Sequence, residues 1–276
     1  MIAFAGNSLL CRSALRETGI DAASFTLIRI CAGAITLWLI TRATRPRRPL
    51  EGSWLSALLL FAYAAAFSFA YLSLPTGTGA LLLFGAVQAT MLLWGWRRGE
   101  RLHATQLAGL AFALGGLVLL VWPGIAAPPL AGSTLMIISG IAWGSYSLRG
   151  RNAGGDPVSA TAGNFVRAVP LATALSLASL PFLQFDPGGV ALATVSGALA
   201  SGCGYAVWYT ALPALRASTA ATVQLIVPVL AAAGGILLLG EPLTLRFLGA
   251  TTAVLGGIAL VVFARTPPGG SGASRG

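Results

Sequence analysis

Long apolar runs separated by short polar gaps dominate the chain. A helix rises 1.5 Å per residue, so about 20 apolar residues cross the ~30 Å hydrocarbon core of a bilayer. The pattern predicts ten spanning helices, at residues 1–11, 22–41, 53–74, 77–96, 104–122, 131–148, 158–182, 188–212, 215–239 and 243–264. The predicted fold class is therefore all-α, a polytopic membrane protein of ten transmembrane helices.

The two ends of the chain depart from this pattern. Only about ten apolar residues precede Arg12, which is roughly half of what a membrane span needs. We therefore expect that several residues of the first helix are missing and that this helix ends near residue 11. At the other end, residues 266–276 are rich in glycine, serine and proline and predict a disordered tail.

Composition makes lipid the main solvent of the protein. Hydrophobic residues make up 56% of the chain, charged residues only 9%, and the mean hydropathy is +0.83. A soluble domain carries roughly 25% charged residues, which is the fraction needed to cover its surface. The net charge of +10 would suit nucleic acid, but the arginines lie in the short gaps between apolar runs. That distribution is typical of the positive-inside rule, so we predict a lipid bilayer as partner and no nucleic acid.

The arginines also predict the orientation. If the N-terminus is cytoplasmic, the opposite side receives only Arg12, Arg16 and Arg246. The cytoplasmic side receives twelve: Arg42, Arg45, Arg47, Arg48, Arg97, Arg98, Arg101, Arg149, Arg151, Arg216, Arg265 and Arg275. We therefore predict cytoplasmic N- and C-termini and a location in the cell inner membrane.

The two halves of the chain resemble each other. Residues 71–75 lie over residues 209–213 at an offset of 138, and the same offset places Arg29 over Arg167. At an offset of 141, Glu100 lies over Glu241. Five helices in each half is an odd number, so the second half must enter the membrane inverted. We predict two inverted repeats, residues 1–124 and 130–265, an arrangement typical of secondary transporters with the solute site near the midplane.

Several stretches of the second half resemble one known family. They are residues 208–212 (WYTAL), 217–221 (ASTAA), 228–229 (PV), 238–241 (LLGE) and 255–260 (LGGIAL). With these the sequence resembles the drug/metabolite transporter superfamily, and in particular its EamA-type members. The resemblance implies ten helices in a carrier fold and, through the family's aromatic amino-acid exporters, the export of aromatic amino acids and some cationic drugs. The first half departs from the pattern, because Val87 stands where the second half has Pro228.

Polar side chains inside the spans are the candidates for solute binding, because a polar group in hydrocarbon is costly unless it faces protein or water. Arg29 and Arg167 either bond backbone carbonyls at helix ends or anchor a substrate carboxylate. Arg167, which we expect to lie deeper, is the favoured anchor. The amides of Gln88, Asn164 and Gln224 could bind a polar solute, or could make interhelical hydrogen bonds worth ~0.6 kcal/mol each.

Aromatic residues complete the candidate site. Inward-facing rings could stack on flat or cationic solutes, and the alternative is ordinary packing or contact with lipid. The predicted solute-binding rings are Tyr71, Phe84, Trp143, Tyr146, Trp208 and Tyr209. Hinges for the movement of the halves are predicted at Pro170, Pro228 and Gly85.

The sequence offers little for chemistry other than transport. All seven acidic residues fall in predicted loops or at helix ends, which favours uniport or facilitated exchange over proton relay. No catalytic constellation or metal-ligand spacing is present, so we predict no enzyme activity, no cofactor and no metal. The partner is a small-molecule solute, with a broad-specificity drug/metabolite exporter coupled to an ion gradient as the alternative to an amino-acid exporter. We expect a monomer, with a dimer as the alternative.

Overall fold

The computed structural model describes residues 1–44, 49–99, 104–124, 127–152, 155–211, 223–224 and 226–263. Within these ranges the regular secondary structure is entirely helical. The helices are α1 (Ile2–Glu17), α2 (Ala22–Thr44), α3 (Trp54–Tyr71), α4 (Thr76–Arg97), α5 (Ala104–Val121), α6 (Leu130–Asn152), α7 (Pro157–Ala178), α8 (Pro187–Val195), α9 (Gly204–Ala211), α10 (Ile226–Leu239) and α11 (Leu245–Phe263). The predicted tail, residues 266–276, lies outside the described residues.

Short polar residues fix where several helices begin. The hydroxyl of Ser53 accepts from the N–H of Ser56 at the start of α3. Asp156 accepts from the N–H of Ser159 at the start of α7, and Asp186 does the same for Gly189 at the start of α8. Each contact satisfies one of the N–H groups that a helix leaves free at its first turn. These caps explain why the apolar runs begin as helices at these residues.

The prediction that the first helix ends near residue 11 is wrong. Helix α1 continues through Arg12 and Arg16 to Glu17. The Nη1 atom of Arg12 donates to the carbonyl of Tyr71 at 2.8 Å, and that of Arg16 to the carbonyl of Leu239 at 3.1 Å. Both arginines therefore extend the helix and bond the ends of neighbouring helices, so their charge does not mark a loop.

The predicted helix at 158–182 is also shorter than expected. Helix α7 ends at Ala178, and a single 3₁₀ turn follows at Leu180–Phe182. The predicted helix at 188–212 is irregular, because a π-helical segment at Ser196–Cys203 joins α8 to α9. Such segments occur as local bulges in α-helices and are frequent at functional sites.

The apolar helices fit a membrane environment. Six helical stretches of the described chain are long and apolar enough to cross a bilayer: α2, α3, α4, α5, the continuous stretch Pro187–Ala211, and α11. Helix α10 is also apolar but shorter. Large apolar side chains such as Leu237 and Leu245 are more than 80% exposed, which lipid would cover. The chain is a multi-pass membrane protein.

Helix packing is dense and relies on small residues. Helix α2 packs against α7, α3 against α6, and α4 against both α6 and α10. Helix α1 packs against α10 and against the α8–π segment, and α5 packs against α11. A Cβ on Gly109 or Gly257 would overlap the carbonyl oxygen of the other glycine, so α5 and α11 touch backbone to backbone.

The connecting segments meet in two separate groups. The first, which we call the Glu241 end, includes the contacts of Glu241 with Arg12 and Thr76. The second, the Glu51 end, includes hydrogen bonds of the segment before α3 to α7: the N–H of Ser53 donates to Asn164 Oδ1 at 2.9 Å. The interior of the protein between these two ends contains the candidate site.

Candidate functional site

Ten aromatic side chains form one connected group in the interior, which we call the ring cluster. Neighbouring rings have centroids 4.7–6.4 Å apart, the range of favourable edge and tilted contacts. Its members come from α1, α3, α6, α7 and α9: Phe4, Tyr63, Phe67, Tyr71, Trp143, Tyr146, Phe165, Tyr205, Trp208 and Tyr209. The cluster therefore joins helices from both halves of the chain.

Trp143 lies at the middle of the ring cluster. Its ring centroid is 4.9 Å from that of Tyr63 and 5.0 Å from that of Tyr205, and it stacks on Tyr146 at 5.5 Å. The small residues around it bring α6 close to α4, since a Cβ on Gly140 would overlap the carbonyl of Leu83. Trp143, which lies on α6, thus contacts rings of α1, α3 and α9 at once.

Polar groups meet at one side of the rings, in what we call the polar centre: Asn7, Arg29, Tyr63, Ser201 and Tyr205. The Tyr63 hydroxyl is its hub. It accepts from Arg29 Nη2 at 2.9 Å and from Asn7 Nδ2 at 3.4 Å, and lies 3.3 Å from the Tyr205 hydroxyl. Arg29 Nε donates to Ser201 Oγ at 3.2 Å, within the π segment. A polar network this far inside an apolar helical protein is costly and marks a candidate functional site.

A polar cavity of about 220 Å³ opens at the Glu51 end. Its walls include Ser56 and Arg149, and its inner part reaches Tyr146, Asn164 and Tyr209. The Asn164 amide donates to the Tyr146 hydroxyl at 3.3 Å, which fixes both side chains at the cavity wall. The cavity thus gives access to two members of the ring cluster.

The Glu241 end is held together by charged and polar contacts. The Glu241 carboxylate accepts from the N–H and the hydroxyl of Thr76 and lies 3.5 Å from Arg12 Nε. Two hollows of about 260 and 400 Å³ lie among the helix ends there, and neither is lined by a ring-cluster residue. Access to the rings is therefore different at the two ends.

The structure brings together six of the ten predicted site residues. Tyr71, Trp143, Tyr146, Trp208 and Tyr209 belong to the ring cluster, and Asn164 bonds to it. Phe84, Gln88 and Gln224 are buried on α4 and just before α10. Within the described residues, no ring contact or hydrogen bond joins these three to the cluster.

The tenth residue, Arg167, lies elsewhere, and the expectation that it is deeper than Arg29 is wrong. Arg29 is only 2% exposed, whereas Arg167 is half-buried. The Nη1 atom of Arg167 donates to the carbonyls of Glu51 and Gly163, each at 2.9 Å. The long side chain of Arg167 turns back to the Glu51 end, where it ties the segment before α3 to α7.

The predicted hinge residues occupy different surroundings. Pro228 is buried in α10, and Pro170 is exposed within α7. A Cβ on Gly85 would lie 2.9 Å from the side chain of Leu117, so this glycine serves the close approach of α4 and α5. Their role as hinges stays a prediction.

Several residues of the ring cluster and polar centre were absent from the predicted set of site residues, including Phe4, Tyr63, Phe67, Phe165, Tyr205 and Ser201. Tyr205 contacts four other rings and the Tyr63 hydroxyl. It precedes Tyr209 by four residues, the spacing that places two side chains on one helix face, so the pattern contained its signal. Ser201 gave no such signal, because small residues are common throughout that stretch.

Comparison with known proteins assigns this architecture to a family. Residues 130–263 match the EamA-like transporter family. An uncharacterised protein of Pseudomonas aeruginosa is 58% identical over 266 residues, covering 96% of this chain and 92% of that protein. A protein of Escherichia coli K12 named as a probable amino-acid metabolite efflux pump is 27% identical over 244 residues, 77% of each chain. The chain belongs to the EamA-like transporter family, within the drug/metabolite transporter superfamily.

The fold has a counterpart among solved structures. One crystal structure superposes with a TM-score of 0.65 at 18% identity and covers 94% of this chain and 95% of its own. An uncharacterised transporter of Archaeoglobus fulgidus is 26% identical over 246 residues, 84% of each chain. The predicted family resemblance is therefore confirmed.

Proposed function

We propose that this transporter exports amino acids, aromatic ones in particular, across the inner membrane by alternating access. The observation that carries the proposal is the asymmetry of the two ends. A polar cavity reaches the ring cluster from the Glu51 end, whereas the contacts of Glu241 tie the helices together at the other end. A carrier needs this arrangement in one of its two states, with the solute site open to one side only.

The packing of the helices supports two halves related by a twofold exchange. The exchange pairs α1 with α6, α2 with α7, α3 with the α8–α9 stretch, α4 with α10, and α5 with α11. If the helices are exchanged in this way, the packing of α3 on α6 corresponds to the packing of the α8–π segment on α1. The packing of α4 on α6 likewise corresponds to the packing of α10 on α1. Both members of each pair of contacts are present, and the paired helices α2–α7, α4–α10 and α5–α11 pack on each other.

The directions of the helices support an inverted relation between the halves. Helix α1 has Arg12 in its last turns, and Arg12 bonds at the Glu241 end. Its counterpart α6 begins beside Ser73 at that same end and finishes with Arg149, which donates to Ser56 at the Glu51 end. The paired helices thus run in opposite directions, as ten spans in an inverted five-plus-five repeat require.

The chemistry of the interior favours an aromatic solute with polar groups. The ring cluster offers faces and edges on which a flat apolar body could stack. Each such ring contact would stabilise the bound solute by roughly 0.5–1.5 kcal/mol beyond the gain from burial. The alternative function is a broad-specificity drug/metabolite exporter coupled to an ion gradient. The buried charge of Arg29 disfavours the cationic drugs among the solutes of such an exporter, because like charges repel strongly where water is excluded. In the described residues the acidic side chains lie between helices or at helix ends, which supports uniport or facilitated exchange.

Uptake into proteoliposomes tests the proposal. The protein is offered a panel of labelled amino acids and cationic dyes, and counter-flow against unlabelled solute separates a carrier from a channel. We expect saturable counter-flow of aromatic amino acids, a clear loss with Trp143→Ala and a smaller loss with Gln88→Ala. Trp96→Ala is the control, since Trp96 is 59% exposed and no ring contact joins it to the ring cluster in the part of the chain that the structure describes. If both interior variants transport like the parent, the site assignment is wrong.

A further inference from the structure

Arg29 is a buried cation whose hydrogen-bonding capacity is incompletely used. Its Nη2 and Nε atoms donate to the neutral hydroxyls of Tyr63 and Ser201. The third nitrogen, Nη1, is buried and has no hydrogen-bond partner within the described residues. A guanidinium has five N–H donors in a planar fork, so an unused face remains.

No anion in the described chain balances this charge. The titratable groups that act on Arg29 are Tyr63, Tyr205 and Cys11, none of which is ordinarily charged at neutral pH. Arg12 and Glu241 form an ion pair with each other at the Glu241 end. Ring faces compensate in part, since the guanidinium carbon lies 5.0 Å from the Phe67 centroid and 5.2 Å from that of Tyr63. A buried charge with so little compensation is costly to keep, which calls for a partner that arrives from outside.

The backbone of the π segment packs closely against Arg29. Ser201 lies in the π segment, and a Cβ on Gly197 in that segment would overlap the Arg29 carbonyl oxygen. The irregular segment therefore packs directly on α2 at Arg29 and presents only a small neutral hydroxyl to it. Any larger partner would have to come from the side of the rings.

A series of ring contacts connects Arg29 to the cavity. Tyr146 lines the cavity and stacks on Trp143, Trp143 contacts Tyr63, and Tyr63 bonds Arg29. In this state the rings of Trp143 and Tyr205 are packed together, so a solute that moves from the cavity to Arg29 must displace them. A solute with a flat apolar body can replace the ring contacts that it breaks.

We propose that Arg29 is the anion-binding residue of the transport pathway and takes the carboxylate of the transported solute, a small acid with a flat apolar body. The assignment rests on the proposed transport function and names the group that recognises the solute. A carboxylate fits the guanidinium fork with two parallel hydrogen bonds, and Nη1 is free to make one of them. Chloride shares the chemistry of a monovalent anion, so the test must separate the two.

Arg29→Gln and Arg167→Gln form a matched pair for this test. Arg167 bonds two backbone carbonyls, which gives it a structural role at the Glu51 end. In the full chain without solute, we expect Arg29→Gln to leave the melting temperature unchanged or raised, because it removes an unbalanced charge. Arg167→Gln should lower it. A clear loss of stability in Arg29→Gln with no change in transport selectivity would assign Arg29 a purely structural role.

Transport selectivity in proteoliposomes is the deciding measurement. The probes are phenylalanine and phenylalaninamide, which share a body and differ in the carboxylate. We expect the parent and Arg167→Gln to prefer phenylalanine, and Arg29→Gln to raise KM for phenylalanine about tenfold, the effect of losing one charge-assisted pair. KM for the amide, which keeps the ammonium group and lacks the carboxylate, should fall or stay within about twofold, because the like charge at position 29 is gone. Equal changes for both probes, or no preference in the parent, would overturn the proposal.

Two further arms complete the test. Replacing chloride by sulfate, which carries no carboxylate, should leave the parent unchanged; if it reproduces the Arg29→Gln effect, the bound anion is chloride and the proposal fails. Arg29→Lys, which keeps the charge in a fully folded protein, should raise KM for phenylalanine about threefold because the fork is lost. A parent that moves neither probe overturns the proposed function as well, whereas transport of both without preference overturns only the role of Arg29.

Discussion

The backbone N–H of Thr76 donates to both carboxylate oxygens of Glu241, at distances of 2.9 and 2.8 Å. The Thr76 hydroxyl donates to the same carboxylate at 3.0 Å, and Arg12 Nε lies 3.5 Å away. Glu241 follows α10, and Thr76 is the first residue of α4. The carboxylate of Glu241, which lies in the connection after α10, therefore caps the N-terminus of α4. The helix dipole favours a negative charge at that N-terminus. The contact joins the second half of the chain to the first.

Neutralising Glu241 should loosen the Glu241 end. In a variant with Cys11, Cys31 and Cys203 replaced by alanine, a reporter Thr78→Cys is labelled with a water-soluble thiol reagent. We expect Glu241→Gln to speed labelling about threefold, since loss of a charge at a helix N-terminus costs ~0.3–1 kcal/mol and more when partly buried. Glu17→Gln is the control, because Glu17 bonds only Ser13 of its own helix among the described residues. Equal labelling rates in the reporter protein, its Glu241→Gln variant and its Glu17→Gln variant would show that Glu241 does not hold this end closed.

Asp21 should make stability depend on pH in acid. Burial by itself raises the pKa of the Asp21 carboxyl, but hydrogen bonds from the backbone N–H of Gln184 and from Ser24 and Ala23 hold the pKa below its ordinary value. A lowered pKa means that the folded state favours the charged form. The stabilisation is therefore complete above the ordinary pKa of about 3.9 and is lost as the pH falls through the lower folded-state value.

Melting temperatures between pH 3 and pH 6 test this dependence. The parent should lose stability below about pH 4. Asp21→Asn should start lower at pH 6 and decline less steeply below pH 4, because its side chain does not titrate. Parallel curves for the two proteins would show that the contact between Asp21 and Gln184 contributes nothing.

Adjacent glycines on α11 should respond oppositely to alanine. A Cβ on Gly257 would overlap the backbone of Gly109 on α5, whereas a Cβ on Gly256 meets nothing within 4 Å. Gly257→Ala should therefore force α5 and α11 apart and destabilise the protein, by roughly 1–3 kcal/mol for an overpacked interior site. Gly256→Ala should be neutral or stabilising by ~0.5–1 kcal/mol, since alanine favours the helix. The measurement is thermal unfolding in one detergent, and similar effects at both positions would contradict the packing.

The helices could be predicted from the sequence because the bilayer fixes their length and composition. Every apolar run contains a helix in the part of the chain that the structure describes, and the caps Asp156 and Asp186 lie in the gaps between predicted spans. The end of α1 was missed because Arg12 bonds a neighbouring helix end, a contact between distant residues that no local pattern shows.

The candidate site was predicted only in part. Trp143 and Tyr146 could be identified because a spacing of three residues places both rings on one face of a helix. The order of burial of Arg29 and Arg167 could not, because position along a span says nothing about which way a long side chain turns. The π segment that contains Ser201 also gave no local signal, since its small residues are equally compatible with a regular helix.

Closing the Glu241 end covalently tests the alternating-access account most directly. Thr76→Cys and Glu241→Cys are combined in the background without Cys11, Cys31 and Cys203, and a short thiol-specific cross-linker joins them in proteoliposomes. The account predicts that counter-flow of phenylalanine falls to background after cross-linking and returns when a cleavable linker is reduced. If the cross-linked protein transports phenylalanine as fast as the same protein after the linker is cleaved, the alternating-access account is contradicted.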